Sequence, residues 1–183
     1  QLLANKAVII NCDARHMPSG FMLPMEGHSA QSEVQRNQLN ASLPLVKRLW
    51  QQTVEAKVRN QRLALELLGK DAKRLQVLEK RVLSGDEKNI EGQAAAYYWK
   101  TLFDDFTRGR FEDWPNPLLN YGYAILRAII ARALVSSGLL PQIGIFHSNK
   151  YNAYGLADDN MEPFRPFVDL IAYDIAGQYE EAE

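Results

Sequence analysis

"NPLLNYGYAILRAIIARALVSSG", from Asn116 to Gly138, predicts one long and mostly apolar helix. Asn116 is a favourable helix cap, Pro117 suits the first helical position, and Gly138 stands just past the expected end. Arg127 and Arg132 interrupt the apolar run, which favours a buried helix of a globular protein over a membrane span. We therefore expect no membrane partner.

Helical patterns continue on both sides of this stretch and make the chain mainly α. Most of the predicted helices have a capping residue at the start and a glycine or proline at the end. The first predicted helix has Ser32 and Gln35 as a capping box, and the second runs from Ser42 to Leu68, stopped by Gly69. The third is capped by Asp71, has an apolar stripe of Leu75, Leu78 and Val82, and ends at Gly85. A fourth runs from Asn89 to Phe106, the helix from Asn116 follows, and a helix or pair of helices after Gly155 is broken near Pro163 and Pro166.

The first residues have a different character. "AVIIN" (7–11) is a short β-branched run typical of a buried strand, "MPSG" (17–20) indicates a turn, and "FMLPM" (21–25) predicts a second extended segment. A boundary is therefore expected near residues 26–30, with residues 29–183 forming a multi-helix domain.

Composition limits the class of protein. The 183 residues are 46% hydrophobic and 23% charged, with a net charge of −1, which fits a globular protein and not a strongly basic nucleic-acid binder. Cys12 is the single cysteine, so no intramolecular disulfide can form. No basic segment precedes the first apolar run, and we predict a cytoplasmic protein.

Basic residues recur between Lys47 and Lys88, and two interpretations stay open. They form either a stripe that follows a phosphate backbone or a solvated helix surface with interspersed glutamates. The basic residues concerned are Lys47, Arg48, Lys57, Arg59, Arg62, Lys70, Lys73, Arg74, Lys80 and Arg81.

Three residues are candidates for a metal site, and each also has a structural interpretation. Glu91 stands in the first turn of a predicted helix, where the dipole favours a carboxylate. His147 follows the apolar segment "IGIF", where a histidine is commonly a packed core or edge residue. Together with Glu162 they offer two hard oxygen ligands and one imidazole, a set that suits Mg²⁺ or Mn²⁺ better than structural zinc.

The acidic segment around Glu162 has two interpretations of its own. Asp158 precedes Glu162 by four residues, so a helix would place both carboxylates on one face. Such a pair needs a cation, a proton or an arginine such as Arg165 between its members. Pairing with Arg165 is the structural alternative to metal binding.

Longer strings resemble a known family over nearly the whole chain. "NYGYAIL", "GLLPQIGIFH" and "LADDNMEPFRPFVD" resemble the helical domain of the CRISPR spacer-acquisition integrase, the metal-dependent nuclease subunit of the adaptation complex, in its type II form. "CDARHMPSGFMLP", "LWQQTVEAKVRNQ" and "SGDEKNIEGQAAAYYWKTLF" fit the same family in the same order.

The resemblance implies a site and a layout. Motif by motif, the family's metal ligands and catalytic residues fall on Glu91, His147 and Glu162. Asp158, Asp159 and Arg165 become candidates for supporting contacts to them. The layout would be an N-terminal β domain, of which residues 1–28 are the end, followed by an α-helical catalytic domain over residues 29–183, with the chain as a fragment of the family's length.

The implied activity is endonuclease and integrase chemistry, in which a DNA 3′-hydroxyl attacks a phosphodiester at a CRISPR repeat border with Mg²⁺ or Mn²⁺ bound. The implied partners are double-stranded and branched DNA, a second copy of the chain, and a small ferredoxin-like adaptation subunit. Two alternatives remain at this point. One is a non-adaptive DNA nuclease or transposon-type integrase, and the other is a non-catalytic helical DNA-binding scaffold.

Overall fold

The computed structural model describes residues 1–25, 28–103, 106, 108–109, 114–147 and 149–180. The described chain is mainly α with one small two-stranded sheet, as predicted. The elements in order are β1 (Ile9–Cys12), β2 (Pro18–Met22), α1 (Gln31–Leu39), α2 (Leu43–Leu67), α3 (Lys73–Glu79), α4 (Ile90–Leu102), α5 (Asn116–Ser136), α6 (Gly155–Met161) and α7 (Arg165–Glu180), with a 3₁₀ turn at Glu162–Phe164 between the last two helices.

The hairpin differs from the sequence prediction at its turn. Pro18, Ser19 and Gly20 belong to strand β2, so the turn predicted at "MPSG" is wrong. The chain reverses earlier, where the Asp13 carboxylate accepts hydrogen bonds from the backbone N–H groups of Arg15 and Met17 at 2.8 and 3.0 Å. An aspartate that binds the backbone two residues on is a turn signal in its own right.

Two helix ends follow the predicted glycines, whereas α3 ends at Glu79 and not at Gly85 as predicted. Gly69 and Gly138 both have positive φ, 68° and 79°, and each sits where the backbone closes a left-handed cap. Lys70 N–H bonds the Leu65 carbonyl and Leu139 N–H bonds the Leu134 carbonyl, the six-to-one contacts of that cap. The start of α1 was predicted wrongly, because the helix begins at Gln31 after Ala30, with no side-chain cap.

The residues fall into two compact units that are not continuous in sequence. The first comprises residues 1–47 and 124–161, and the second comprises residues 48–123 and 162–183. The predicted boundary near residues 26–30 stays a prediction. Parts of two predicted segments, the loop "RGRFEDWP" and the end of the fourth helix, lie outside the described residues.

The first unit has its core where α5 meets α6. Ala131 and Leu134 pack with Leu156 and Ala157, and Phe21 of the hairpin stacks on Tyr154 with 4.6 Å between ring centroids. The hairpin is thereby attached to the helices through its apolar face.

The second unit buries one stripe of α2 together with α3, α4 and parts of α5 and α7. Leu75, Leu78 and Val82, predicted as the apolar stripe of the third helix, are all buried, although Val82 lies beyond the end of α3. The largest buried side chains of this unit include Val54, Val58, Leu65, Ile90, Tyr98, Leu102 and Leu119.

Helix α5 is long and apolar enough, by length and composition alone, to cross a membrane, a test that core helices also pass. Leu119 and Tyr123 of this helix are buried in the second unit, and Ala128 and Ala131 are buried in the first. Because 28% of the apolar stretch of this helix is buried, the interpretation as a core helix stays a prediction.

Candidate functional site

Glu91 is fixed by the start of α4. The buried Asp86 accepts hydrogen bonds from the backbone N–H groups of Ile90 and Glu91, both at 2.9 Å, and the Asn89 side chain accepts from Gly92 N–H at 3.2 Å. Two side chains therefore satisfy N–H groups that a helix start leaves unbonded. The carboxylate of Glu91 projects from a helix end whose position is firmly set.

Glu162 opens the 3₁₀ turn between α6 and α7 and is buried. Asn60 of α2 donates a hydrogen bond to the Pro163 carbonyl at 2.7 Å, which attaches this turn to the long helix. Arg165 forms an ion pair with Glu162, with 2.9 Å between Nε and Oε1. The prediction that Arg165 pairs with the acidic segment agrees with this contact.

Lys57 of α2 joins the two glutamates. Its ammonium contacts Oε1 of Glu91, and it lies 2.5 Å from Oε2 of Glu162. The Lys57 side chain is 9% exposed and that of Glu162 is 7% exposed, so their contact is shielded from water. We call Glu91, Lys57 and Glu162 the lysine-bridged pair.

The charge on Lys57 is stable in this setting. Burial by itself would lower the pKa of the Lys57 ammonium, but the carboxylates of Glu162 and Glu91 outweigh burial and raise the pKa above its ordinary value. The two carboxylates thus enclose a full positive charge. An anionic pocket that already holds one cation matches the hard oxygen chemistry that Mg²⁺ and Mn²⁺ prefer.

His147 lies in the first unit, on a loop built around Asp159. This fully buried carboxylate accepts hydrogen bonds from the consecutive backbone N–H groups of Ile145, Phe146 and His147, at 2.6, 2.9 and 3.2 Å. Its Oδ1 also lies 2.5 Å from Nδ1 of the His147 ring. We call residues 145–147 together with Asp159 the aspartate-bound loop.

The contact at Nδ1 orients the imidazole of His147. A carboxylate on one ring nitrogen fixes the tautomer and assigns metal binding or proton transfer to the other, Nε2. The His147 side chain is 43% exposed, so the ring reaches the surface.

Asp158 has different partners from Glu162. Arg127 of α5 donates to Asp158 Oδ1 at 2.6 Å, and Asn152 donates to Oδ2 at 2.7 Å. Each of the two carboxylates predicted to share a helix face is therefore neutralised by its own cation.

A third buried carboxyl, Asp169 of α7, lies among aromatic rings in the second unit. The Tyr98 hydroxyl donates to it at 3.1 Å, and the Tyr123 hydroxyl donates to its other oxygen. Burial raises the pKa of Asp169 to about 7, while the two tyrosine hydrogen bonds act in the opposite direction. Arg165 lies over the Tyr123 ring at 4.6 Å, so this network supports the residue that holds Glu162.

The structure thus brings two of the three predicted ligands together and describes the third separately. Glu91 and Glu162 share one ammonium in the second unit, and His147 is held by Asp159 in the first. Within the part of the chain that the structure describes, no group of three or more His, Cys, Asp or Glu side chains is arranged to hold a metal ion. The three-residue ligand set stays a prediction.

Lys57 and Asn60 were missed as functional residues by the sequence analysis, which counted Lys57 among the basic stripe. A signal was present, because the buried positions of α2 recur at helical spacing and Lys57 falls among them. A lysine on an otherwise buried stripe indicates a buried anionic partner. The buried positions of α2 are Trp50, Val54, Lys57, Val58, Gln61, Ala64 and Leu65.

Three residues of the predicted basic stripe, Lys57, Arg59 and Arg62, form ion pairs within the protein. Arg59 and Arg62 both pair with Glu79, at 2.8 and 3.1 Å, and Arg62 also pairs with Glu66 at 2.8 Å. These contacts favour the interpretation of a helix surface with interspersed glutamates over a continuous phosphate-binding stripe.

Comparison with known proteins gives this geometry a family context. The family described as CRISPR associated protein Cas1 matches residues 1–180. A CRISPR-associated endonuclease Cas1 from Neisseria meningitidis serogroup C is 44% identical over 172 residues, which cover 92% of this chain and 56% of the relative. The chain spans about half the length of the curated relatives it matches.

Two solved structures have a fold similar to that of this chain. A casposase bound to integration product superposes with a TM-score of 0.82 at 25% identity, over 98% of this chain and 56% of that one. A partial Cas6-RT-Cas1–Cas2 complex gives a TM-score of 0.72 at 25% identity, over 97% of this chain and 60% of that one.

Proposed function

The chain belongs to the CRISPR-associated Cas1 family, and from this premise we propose that it is the helical part of a metal-dependent DNA endonuclease and integrase. Its reaction would insert short foreign DNA as new spacers into a CRISPR array. One observation carries the proposal, the meeting of Glu91 and Glu162 around a single cation although 71 residues separate them in sequence.

The proposed reaction is a transesterification. A 3′-hydroxyl oxygen of the incoming DNA attacks phosphorus at the repeat border, a new phosphorus–oxygen bond forms, and the bond to the 3′-oxygen of the repeat strand breaks. The departing oxygen takes up a proton, so the number of phosphodiester bonds is unchanged and no nucleotide cofactor is consumed. Hydrolysis is the same displacement with water as the attacking group.

Glu91 and Glu162 would supply carboxylate oxygens to Mg²⁺ or Mn²⁺. When bound, such an ion stabilises the negative charge that develops on phosphoryl oxygens. The predicted role of His147 is to complete this set through Nε2, either as a ligand or as a proton acceptor. Asp159 would hold the ring in the required tautomer.

The partners follow from the same premise. We propose that double-stranded and branched DNA is the substrate, that two copies of the chain act together, and that a small ferredoxin-like subunit joins them in the cytoplasm. Support for the last partner is the likeness to a structure described as a complex that contains both Cas1 and Cas2.

The experiment is an Mn²⁺ titration followed by electron paramagnetic resonance, combined with a strand-transfer assay on branched DNA. Glu162→Gln keeps the shape of the side chain and removes its charge, so we expect loss of Mn²⁺ binding and of product. Glu66→Gln is the matched control, because Glu66 is half exposed and pairs with Arg62 on the surface. Equal binding by both variants would contradict the proposed metal site.

A second function has an observation in its favour. The likeness to a casposase bound to integration product supports a transposon-type integrase that does not serve CRISPR adaptation. The two functions differ in target choice, since adaptation requires the repeat border. Insertion at equal rates into repeat-containing and scrambled targets would favour the transposon-type integrase.

The non-catalytic scaffold makes a different prediction. If the chain only binds DNA, then Glu91→Ala, His147→Ala and Glu162→Ala leave both Mn²⁺ binding and DNA cleavage at the level of the unsubstituted protein.

A further inference from the structure

We propose that Lys57 is a placeholder cation whose ammonium occupies the metal position between Glu91 and Glu162 and is displaced when a divalent ion binds. The inference rests on the proposed metal site and adds to it a residue with a defined task. Lys57 would be a positioning residue, which keeps two ligands ready in the absence of metal and yields them when metal arrives.

Geometry is the first argument. The ammonium contacts one oxygen of each glutamate, Oε1 of Glu91 and Oε2 of Glu162, and it lies 2.5 Å from the latter. A magnesium ion that bridged the same two oxygens would lie about 2.1 Å from each. The two cations would therefore occupy the same space and cannot bridge these oxygens together.

Charge is the second argument. The two carboxylates are balanced by Lys57 and by Arg165, whose Nε lies 2.9 Å from the other oxygen of Glu162. The cluster is thus neutral before any ion enters. A divalent ion added beside the ammonium would face strong repulsion in a buried setting. Exchange of the ammonium for the ion removes that repulsion.

The architecture of α2 is the third argument. Asn60, one turn beyond Lys57, holds the Pro163 carbonyl at 2.7 Å, so the turn that carries Glu162 is attached to α2 by a second contact. That contact does not involve either carboxylate. The lysine side chain, with its flexible four-carbon stem, can leave the glutamates while the turn stays in place.

The test compares Mn²⁺ affinities of the unsubstituted protein, Lys57→Met and Lys57→Arg, measured by electron paramagnetic resonance. Methionine is similar in length and uncharged, so we expect binding tighter by about tenfold or more, a change of ~1.4 kcal/mol. Arginine keeps the charge, and we expect affinity no tighter than that of the unsubstituted protein. The control is Arg59→Met on the same helix, since Arg59 is 53% exposed and pairs with Glu79; its Mn²⁺ affinity should not change.

The outcomes separate this inference from the proposed function. Weaker or unchanged binding by Lys57→Met would overturn the placeholder role, and if Glu162→Gln still abolished binding the metal site itself would stand. Absence of Glu162-dependent binding in every variant would overturn both. If Lys57→Met does not fold without metal, Lys57→Arg decides between the outcomes, because binding tighter than in the unsubstituted protein would contradict the proposal.

Discussion

The lysine-bridged pair and the aspartate-bound loop solve the same problem, a buried carboxylate, by opposite means. Glu162 is neutralised by the side-chain cations of Lys57 in α2 and of Arg165 at the start of α7. Asp159 is satisfied mainly by three consecutive backbone N–H groups and by an imidazole. The first arrangement depends on side-chain cations, one of which we propose to be exchangeable, whereas the second depends on backbone N–H groups and orients one ring.

Among single substitutions, the largest expected loss of stability is at the lysine-bridged pair. Lys57→Met leaves Glu91 and Glu162 without their shared cation, and we expect the free energy of unfolding to fall by about 3 kcal/mol in metal-free buffer. Urea denaturation measures the loss. The double variant Lys57→Met with Glu162→Gln should recover most of it, and no recovery would show that packing rather than charge is responsible.

The aspartate-bound loop should respond less to loss of its acceptor. Asp159→Ala leaves three backbone N–H groups without their carboxylate, and we expect a loss of about 2 kcal/mol. Urea denaturation again measures it, with Asp174→Ala as a control because Asp174 is exposed and accepts a hydrogen bond from Gln178. The ring proton chemical shifts of His147 should also change, and unaltered shifts would remove the proposed orienting role of Asp159.

The third carboxyl, Asp169, sharpens the comparison because phenols rather than a cation or the backbone bind it. Its pKa is about 7 in the folded protein against 3.8 ordinarily, so between these values the folded state holds a proton that the unfolded state lacks. Stability should therefore fall as pH rises, by about 1.4 kcal/mol per pH unit from this group, and level off above pH 7. Urea midpoints across this range measure the slope, and Asp169→Asn should flatten it. An equally steep slope in that variant would assign the effect to another group.

The smallest effect is expected at the edge of the first unit. Arg127→Met removes one of two partners of Asp158, but Arg127 is 41% exposed and Asn152 keeps its hydrogen bond to the same carboxylate. We expect a loss below about 1 kcal/mol by thermal unfolding. A loss as large as that of Lys57→Met would break the distinction between exchangeable buried cations and exposed ones.

Local features of the fold were predictable from the sequence. The stops at Gly69 and Gly138 and the cap at Asn89 depend on residues within one turn of each other, and all three are confirmed. The turn at Asp13 was misplaced because proline and glycine in "MPSG" gave a stronger signal than one aspartate. Ser32 is not the cap because α1 already begins at Gln31, so Ser32 lies inside the helix and Ala30 stands at the cap position.

The site was predictable only where its residues lie close in sequence or match a family motif. Asp159 lies 12 residues from His147, and both belong to the quoted motifs. Lys57 lies 34 residues from Glu91 and 105 from Glu162, so periodicity showed that it was buried without showing its partners. Contacts over such separations depend on tertiary packing, which residue spacing does not encode.

The aspartate-bound loop also restricts which residues any chain can use to build it. A Cβ at Gly144 would lie 2.6 Å from the His147 carbonyl oxygen and 2.9 Å from Asp159 Oδ2, and a Cβ at Gly155 would lie 2.6 Å from the same carbonyl. Two methyl groups would thus displace a histidine that neither of them adjoins in sequence. A glycine three residues before a histidine, followed by a glycine four residues before an aspartate, is in effect a search pattern for this loop in unrelated chains.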